Sequence, residues 1–303
     1  MAVRWRFLTS GPLDFLRSTG FFVHLFACAM FGALFALARR QYPRIVAGFM
    51  MLLSWPFWMF GNRRNPLLAI GIPLVAGYLI FSRQSKVLKF ITITVLLLCV
   101  SSWFKVMLGT RTRGVTETVV AAARGENVGR GITADRHLGL DMFKELCYMN
   151  TFIDKGTYSV NWGRGYFGEA ANFVPRRFWK DKPLLGVDYS LARGFRRRPG
   201  GSVVACIITT GVVGQGVENF GIILGPVAAA FLMAIWSGIL ARLWLQRESV
   251  LRTSMFLMGL GLTFNAGRNL TLQVFFPFVF GFMLMRLYEV YEKQHRLGSV
   301  SNP

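Results

Sequence analysis

The 303-residue chain has few of the side chains on which most soluble enzymes depend. It contains 14 acidic residues, three histidines and four cysteines, against 35 lysines and arginines. The motifs of P-loop enzymes, serine hydrolases, zinc proteases and dinucleotide-binding enzymes are absent. Only Cys147 lies in a polar segment, so a disulfide within that segment is excluded, and no CxxC pair indicates a metal site.

Apolar and basic residues dominate what is present. Hydrophobic side chains make up 53% of the chain, 28 residues are Phe, and only 16% are charged. This composition is too apolar for an ordinary soluble domain, so it predicts an all-α integral membrane protein. The formal net charge of +21 fits basic residues that flank membrane spans, and the chain has no nucleic-acid-binding motif.

Seven apolar segments approach the roughly 20 residues that a membrane-spanning helix needs. Four precede a polar stretch of the chain and three follow it. The apolar segment 203–217 is too short and too rich in Gly to cross alone, so we predict a re-entrant or interfacial piece there. The predicted spans are 20–38, 44–60, 66–82, 88–104, 219–243, 251–267 and 269–287, with a tight turn between the last two.

The predicted organisation has three parts. N-terminal membrane helices occupy 1–104, a polar loop module occupies 105–202, and C-terminal membrane helices with a cytoplasmic tail occupy 203–303. The loop holds 17 of the 35 basic residues and nine of the 14 acids. If the loop lies outside the cytoplasm, most basic linkers between spans fall inside, as the positive-inside tendency requires. We therefore expect a multi-pass protein with a large extracytoplasmic loop.

The polar loop contains one helical pattern and two basic runs. Apolar residues at three- and four-residue spacing predict a helix over 134–150 that packs the loop against the membrane helices. The segment 174–183 reads Val-Pro-Arg-Arg-Phe-Trp-Lys-Asp-Lys-Pro. Its guanidinium groups suit phosphate oxygens, and its indole suits a sugar face or lipid. A second run, Arg193 with the arginines at 196–198, suits anionic headgroups.

Further polar residues are predicted at the outer ends of membrane helices, where they would converge beneath the loop. Arg63 and Arg64 precede the third span, and Arg268 lies in the last turn. These arginines either reach the headgroups or line a polar cavity, because charge is costly near the bilayer centre.

Glu218, at the predicted outer start of the fifth span, is an isolated carboxylate between apolar residues. One interpretation is a cap on the N-terminus of a helix, where negative charge is stabilised by about 0.3–1 kcal/mol. The other is a groove-facing carboxylate that takes a proton from a sugar hydroxyl. Within the loop, Glu169 and Asp188 are the alternative bases.

Taken in order, these motifs resemble the bacterial O-antigen polymerase, or oligosaccharide repeat-unit polymerase, family. The most specific part is the Pro-Arg-x-x-Trp-x-x-Lys-Pro core of 174–183, followed some 35 residues later by Glu-Asn-Phe-Gly at 218–221. The resemblance covers about 60–287, and the chain has fewer spans than family members commonly have. The other matching elements are Asp135-Arg136, Gly165-Tyr166-Phe167 and Arg268.

The resemblance implies a glycosyltransferase of the GT-C type in the bacterial cytoplasmic (inner) membrane. Such an enzyme transfers a glycan from a polyprenyl-diphosphate carrier onto a carrier-linked repeat unit during synthesis of cell-envelope polysaccharide. No cofactor, nucleotide sugar or metal is implied. The implied partners are the polyprenyl-diphosphate-linked oligosaccharide, membrane lipid and a chain-length regulator protein, with no nucleic acid.

The resemblance also assigns roles to residues. A diphosphate leaving group develops negative charge, which fixed cations stabilise in the transition state. We expect Arg176 and Lys182 to act on the diphosphate and Glu218 to deprotonate the acceptor hydroxyl. An O-antigen-type ligase that uses the same donor and a lipid-linked oligosaccharide transporter remain the alternatives. The expected substrate-binding residues are Arg63, Arg64, Arg136, Arg177, Trp179 and Arg268.

Overall fold

The computed structural model describes residues 13–53, 64–113, 120, 123–125, 142–171, 174, 178–179, 187–194, 208, 210–267 and 269–300. All regular structure within these ranges is helical, which confirms the predicted all-α class. The N-terminal helices are α1 (Leu13–Leu37), α2 (Gln41–Leu53), α3 (Arg64–Phe81) and α4 (Lys86–Arg113). The loop helices are α5 (Met142–Asp154), α6 (Arg164–Ala170) and α7 (Val187–Ala192). The C-terminal helices are α8 (Gly211–Leu245), α9 (Val250–Thr263), a 3-10 turn (Phe264–Gly267), a π-helix (Thr271–Phe275) and α10 (Phe276–Val300).

Two described helices are long and apolar enough to cross a membrane. They are Gly211–Leu245 and Thr271–Gln294, and shorter apolar helices cover Val23–Leu37 and Leu67–Phe81. Length and composition therefore make the first two helices candidate membrane spans.

Several helix boundaries differ from the predicted spans. Helix α2 begins at Gln41, three residues before the predicted start at 44, and residues 54–60 of that predicted span lie outside the described residues. Helix α4 continues to Arg113, beyond the predicted end of the span at 104. The reason is that 105–113 is polar but still rich in residues of good helix propensity, so the helix outlasts its apolar part.

The bundle core forms where α1, α3, α8, α9 and α10 meet. Its buried side chains come from all five helices. Helices α1 and α3 approach closely because a Cβ at Gly32 would lie 2.6 Å from the carbonyl oxygen of Ile70. Small residues at such crossings are typical of helices packed in a membrane. Representative core residues are Leu25, Ala69, Trp236, Met258, Leu262, Leu270 and Phe278.

Helix α8 is broken at Gly221, whose φ of 80° and ψ of −178° belong to a region that only Gly adopts readily. We call residues 211–220 the first arm and residues 222–245 the second arm. In an unbroken helix Gly216 and Gly225 would be about 13.5 Å apart. Instead, a Cβ at Gly216 would overlap the carbonyl oxygen of Gly225. The first arm is therefore folded back against the second, and it contains the end of the predicted re-entrant segment.

The described part of the polar loop packs on the first arm. Met149 of α5 is fully buried in a second small core with Val217 of the first arm. Met142 contacts the start of the arm, because its sulfur lies 3.1 Å from the position of a Cβ at Gly211. The predicted packing role of the apolar stripe is confirmed at these two residues, while Leu138 lies outside the described residues.

A buried ion pair joins α5 to the end of α7. Glu145 is 1% exposed, and Arg193 donates to its two carboxylate oxygens at 2.9 and 3.1 Å. The Tyr189 hydroxyl donates to the same carboxylate at 2.7 Å, and the Arg193 guanidinium lies over the Tyr148 ring. Arg193 thus holds loop helices together and is not directed to lipid headgroups; the arginines at 196–198 lie outside the described residues.

Replacement of Gly221 tests whether the break in α8 depends on its backbone conformation. We expect Gly221→Ala to destabilise the protein by about 1–3 kcal/mol, because a side chain is strained at this φ and ψ. Thermal unfolding of the detergent-solubilised protein measures the change. Gly238→Ala is the matched control, since Gly238 lies in the second arm with no atom within 4 Å of the added Cβ. Equal unfolding temperatures for the two variants would contradict the prediction.

Candidate functional site

The Glu-Asn-Phe-Gly run ends the first arm of α8 and is capped by the loop. Because the helix breaks at Gly221, the carbonyl groups of the last turn need other donors. The backbone N–H of Asn161 donates to the carbonyl of Glu218 at 2.9 Å. The N–H of Gly163 donates to the carbonyl of Asn219 at 3.2 Å. The loop segment 161–163 is therefore fixed directly on the residues of the motif.

The Gly-Tyr-Phe run on α6 contacts the same motif. The Asn219 side chain accepts the backbone N–H of Tyr166 at 3.1 Å and donates to the Gln215 carbonyl at 2.8 Å. The Tyr166 ring lies against Phe220, with ring centroids 6.0 Å apart. A Cβ at Gly165 would lie 2.8 Å from the Asn219 carboxamide oxygen, so a side chain there would separate the two runs. Two motif runs some 50 residues apart in sequence thus form one contact.

Trp179 links the basic segment 174–183 to α6. Its indole packs edge-on against Phe167, with centroids 5.7 Å apart. Phe167 follows Tyr166 on α6, so the described part of the basic segment lies beside the helix that contacts the motif. The indole is half-buried, which leaves part of its surface available to a ligand.

The two carboxylate oxygens of Glu218 differ in their hydrogen bonds. Oε1 accepts two, while Oε2 has no donor among the described residues. The Tyr158 hydroxyl donates to Oε1 at 3.0 Å, and the Asn161 side-chain amide donates to the same atom at 3.4 Å. The helix-capping interpretation is wrong, because α8 begins at Gly211 and Glu218 lies near the end of the first arm. A carboxylate fixed through one oxygen can present the other to a substrate proton.

Glu169 differs from Glu218 because hydrogen bonds engage both of its carboxylate oxygens. It is 7% exposed, and both of its oxygens accept hydrogen bonds. The Asn269 amide donates to Oε1, while the Gln215 amide, at 2.6 Å, and the Thr271 hydroxyl donate to Oε2. We call these four residues the Glu169 cluster. It joins α6, the first arm of α8 and the π-helix. Because both oxygens are engaged, Glu169 is less suited than Glu218 to take a proton from a substrate.

The two carboxylates and Tyr166 influence one another electrostatically. Burial raises the pKa of Glu169 to about 7, against the effect of its three hydrogen bonds, and the charge of Glu218 raises it further. The pKa of Tyr166 is also raised, first by burial and then by the charges of Glu169 and Glu218. The Tyr166 hydroxyl is buried and has no hydrogen-bond partner among the described residues. These three groups therefore belong to one site.

Asp188, the other alternative base, lies at the edge of this site. It is exposed in the first turn of α7. Burial raises the pKa of Tyr158, and the charges of Glu218 and Asp188 add to the increase. Asp188 thus acts on the site through its charge, which reaches both Tyr158 and Glu218.

The structure describes two of the predicted site residues fully, Glu218 and Trp179. Arg64 begins α3, but its side chain is not described. In the described part of the chain, no group of three or more His, Cys, Asp or Glu side chains could hold a metal ion. The predicted residues outside the described ranges are Arg63, Arg136, Arg176, Arg177, Lys182 and Arg268.

The polar pair Arg268-Asn269 in the last turn is visible in the sequence, and Asn269 contributes to the site. Sequence reasoning missed four other contributors. Gln215 carried the clearest signal, as the one polar side chain between Gly211 and Val217. The loop partners of Glu218 carried no local signal. The missed residues are Tyr158, Asn161, Gln215 and Thr271.

The chain matches no protein-family model, no curated protein and no solved structure. Its function therefore has to be argued from the residues and the geometry of this site.

The raised pKa of Glu169 predicts that stability depends on pH. Its pKa of about 7 exceeds the ordinary value of 4.5, so the folded protein retains a proton that the unfolded chain has released. The contribution of Glu169 to the free energy of unfolding should be greatest below pH 4.5, fall as the pH rises to 7, and stay constant above. Unfolding temperatures between pH 4.5 and 8 measure this slope.

Glu169→Gln should flatten that slope, because glutamine does not titrate. Glu248→Gln should leave it unchanged, since Glu248 is exposed in the turn between α8 and α9. A slope that is equally steep in the wild type and in Glu169→Gln would show that Glu169 does not titrate in this interval.

Proposed function

We propose that the protein is a membrane glycosyltransferase that polymerises polyprenyl-diphosphate-linked glycans outside the cytoplasm. The observation that carries the proposal is Glu218, a carboxylate anchored through Oε1 where the polar loop meets the folded-back arm of α8. The contact between the Gly-Tyr-Phe and Glu-Asn-Phe-Gly runs supports it, because both runs belong to the motif set of the family that the sequence resembles.

The proposed topology has seven membrane crossings, with the loop outside in the bacterial cytoplasmic membrane. The two long apolar helices support a membrane location. The basic linkers around 39–44 and 83–89 and the C-terminal end of α10, with Lys293 and Arg296, would then lie inside, in agreement with the positive-inside tendency. The first arm would be a re-entrant segment, which a membrane protein tolerates where it is buried in protein or lines a wet cavity.

In the proposed reaction, Glu218 takes the proton of an acceptor hydroxyl on a carrier-linked repeat unit. The hydroxyl oxygen then forms a bond to the anomeric carbon of the donor glycan. The bond between that carbon and the diphosphate oxygen breaks, and the electron pair leaves with the polyprenyl diphosphate. The products are an extended carrier-linked glycan, the released carrier diphosphate and a proton on Glu218.

Basic residues of the loop and the last turn would stabilise the charge that develops on the diphosphate. Arg176 and Lys182 have the leading role, and the contact of Trp179 with α6 supports their proximity to the Glu218 site. Trp179 would stack on a sugar ring. Arg63, Arg64, Arg136, Arg177 and Arg268 complete the proposed substrate-binding set.

Removal of the proposed base should stop glycan transfer. We expect Glu218→Gln to lower the rate by about 10²–10⁴-fold, the contribution typical of a positioned general base. The assay incubates purified protein with a synthetic polyprenyl-diphosphate oligosaccharide and identifies the products by mass spectrometry. Glu248→Gln is the control, because its carboxylate is exposed and away from the site. Full activity of Glu218→Gln would exclude Glu218 as the base.

The same assay separates the proposal from its alternatives. A ligase would form product only when a lipid or protein acceptor is added. A transporter would move the lipid-linked oligosaccharide across vesicles without forming glycosidic bonds. Chains of increasing length from a single carrier-linked substrate are the result expected of a polymerase.

Removal of a leading cation should have a comparable effect in cells. Cells with Arg176→Ala should assemble single repeats but no long chains, because loss of one transition-state donor costs about 10²–10³-fold in rate. Gel electrophoresis of the polysaccharide measures the distribution of chain lengths. Arg83→Ala is the control, since Arg83 is exposed in the linker between α3 and α4. Normal chain lengths at normal levels of the Arg176→Ala protein would contradict the assignment.

A further inference from the structure

Glu169 is the most thoroughly engaged carboxylate of the site, yet the proposed reaction does not use it. Its three donors come from two elements that are distant in sequence from α6. Gln215 lies on the first arm of α8, while Asn269 and Thr271 lie where the last turn leads into the π-helix. The carboxylate thus joins α6 to two other parts of the chain.

The donors of the Glu169 cluster also fix the backbone around them. The Gln215 carboxamide oxygen accepts the backbone N–H of Leu270 at 3.3 Å. The Asn269 carboxamide oxygen accepts the N–H of Leu272 at 2.7 Å. The side chains that bind Glu169 therefore hold the backbone on both sides of Thr271, at the start of the π-helix. Short π-helical segments inside helices are frequent at functional sites.

The Glu169 cluster lies next to the proposed base, Glu218, on one side and is adjacent in sequence to a proposed diphosphate ligand, Arg268, on the other. Gln215 lies one helical turn before Glu218 on the first arm, so an interaction that fixes Gln215 also fixes the arm that presents the base. Asn269 directly follows Arg268 in the chain, so an interaction that fixes Asn269 constrains the turn that contains this proposed diphosphate ligand.

The ionised form of Glu169 suits this arrangement. An ionised carboxylate only accepts hydrogen bonds, and all three partners in the Glu169 cluster donate to it. A protonated carboxyl would keep all three contacts only by donating to the Thr271 hydroxyl, which would reverse that hydrogen bond and turn the hydroxyl proton toward Asn269. The neighbouring titratable groups are Tyr166 on the same helix and Glu218 on the first arm.

We infer that Glu169 is a positioning residue for the proposed transfer reaction. Its ionised carboxylate holds the arm that carries Glu218 in a fixed arrangement with Asn269 and Thr271, which follow Arg268 in the chain. Glu169 neither takes the substrate proton nor binds the diphosphate. This inference rests on the proposed function for its kinetic consequence, while its structural consequence holds independently.

The structural test is hydrogen exchange of the backbone. In Glu169→Gln, the amides of Leu270 and Leu272 should exchange about 10-fold faster than in the wild type at the same pH, because their acceptors lose their anchor. Glu145→Gln is the matched control. It changes a buried loop carboxylate with as many hydrogen-bond donors, but it should speed exchange only around the α5–α7 contact.

The kinetic test uses the polymer assay with the same two variants. Glu169→Gln should lower kcat by about 10- to 100-fold, with a change in KM below about 3-fold, since misplacement of a catalytic group mainly slows the chemical step. The wild-type rate should fall at acid pH with a two-proton dependence, because both carboxylates must be ionised. Glu169→Gln should retain a one-proton dependence from Glu218. Glu169→Asp, which keeps the charge, should keep the two-proton dependence.

Three results would overturn the inference. One is unchanged exchange at Leu270 and Leu272 in Glu169→Gln. Another is an equal loss of kcat in Glu145→Gln, which would indicate a general effect on folding. The third is a two-proton dependence that persists in Glu169→Gln. If Glu169→Gln does not fold, exchange at Leu270 and Leu272 is measured in Glu169→Asp, whose shorter side chain cannot reach all three donors, and unchanged exchange there would equally overturn the inference. A wild type without transfer activity would refute the proposed function, while the exchange experiment would still decide the role of Glu169.

Discussion

The reversal of α8 at Gly221 is the constraint on which the rest of the site depends. It places Gly216 against Gly225 and leaves the carbonyl groups of Glu218 and Asn219 without helical partners. The loop segment that contains Asn161 supplies the missing donors, and this brings Tyr158 to the Glu218 carboxylate. An unbroken α8 would carry Glu218 along a straight helix and remove the reason for the loop to dock there.

The two carboxylates of the site show how surroundings, and not residue type, separate chemical roles. Glu218 accepts two hydrogen bonds on one oxygen, so its second oxygen can face a ligand. Glu169 accepts three on both oxygens and is almost fully buried. The first arrangement orients a reactive group, and the second holds structural elements together. Glu145 gives an independent example of the second arrangement, because its partners join α5 to α7.

Local sequence patterns were sufficient for the helical class and for the apolar stripe of α5, and they singled out Glu218 as an isolated carboxylate. They were insufficient for the reversal at Gly221, because a Gly in an apolar helix has no preferred sign of φ until Gly216 and Gly225 meet. They also could not pair Tyr158 with Glu218, since the two residues are 60 positions apart and no periodicity links them. The sequence of neither segment alone indicates a contact that depends on tertiary packing.

In the proposed reaction, protonation of Glu218 and ionisation of Glu169 are linked. The charge of Glu218 contributes to the raised pKa of Glu169, so an ionised Glu218 disfavours ionisation of its neighbour. When Glu218 takes the proton of the acceptor hydroxyl, that repulsion disappears and the ionised form of Glu169 becomes more stable. The ionised form is the one that accepts all three hydrogen bonds of the cluster. In the proposed reaction, proton transfer to Glu218 would therefore strengthen the hydrogen bonds of the Glu169 cluster while negative charge develops on the leaving group.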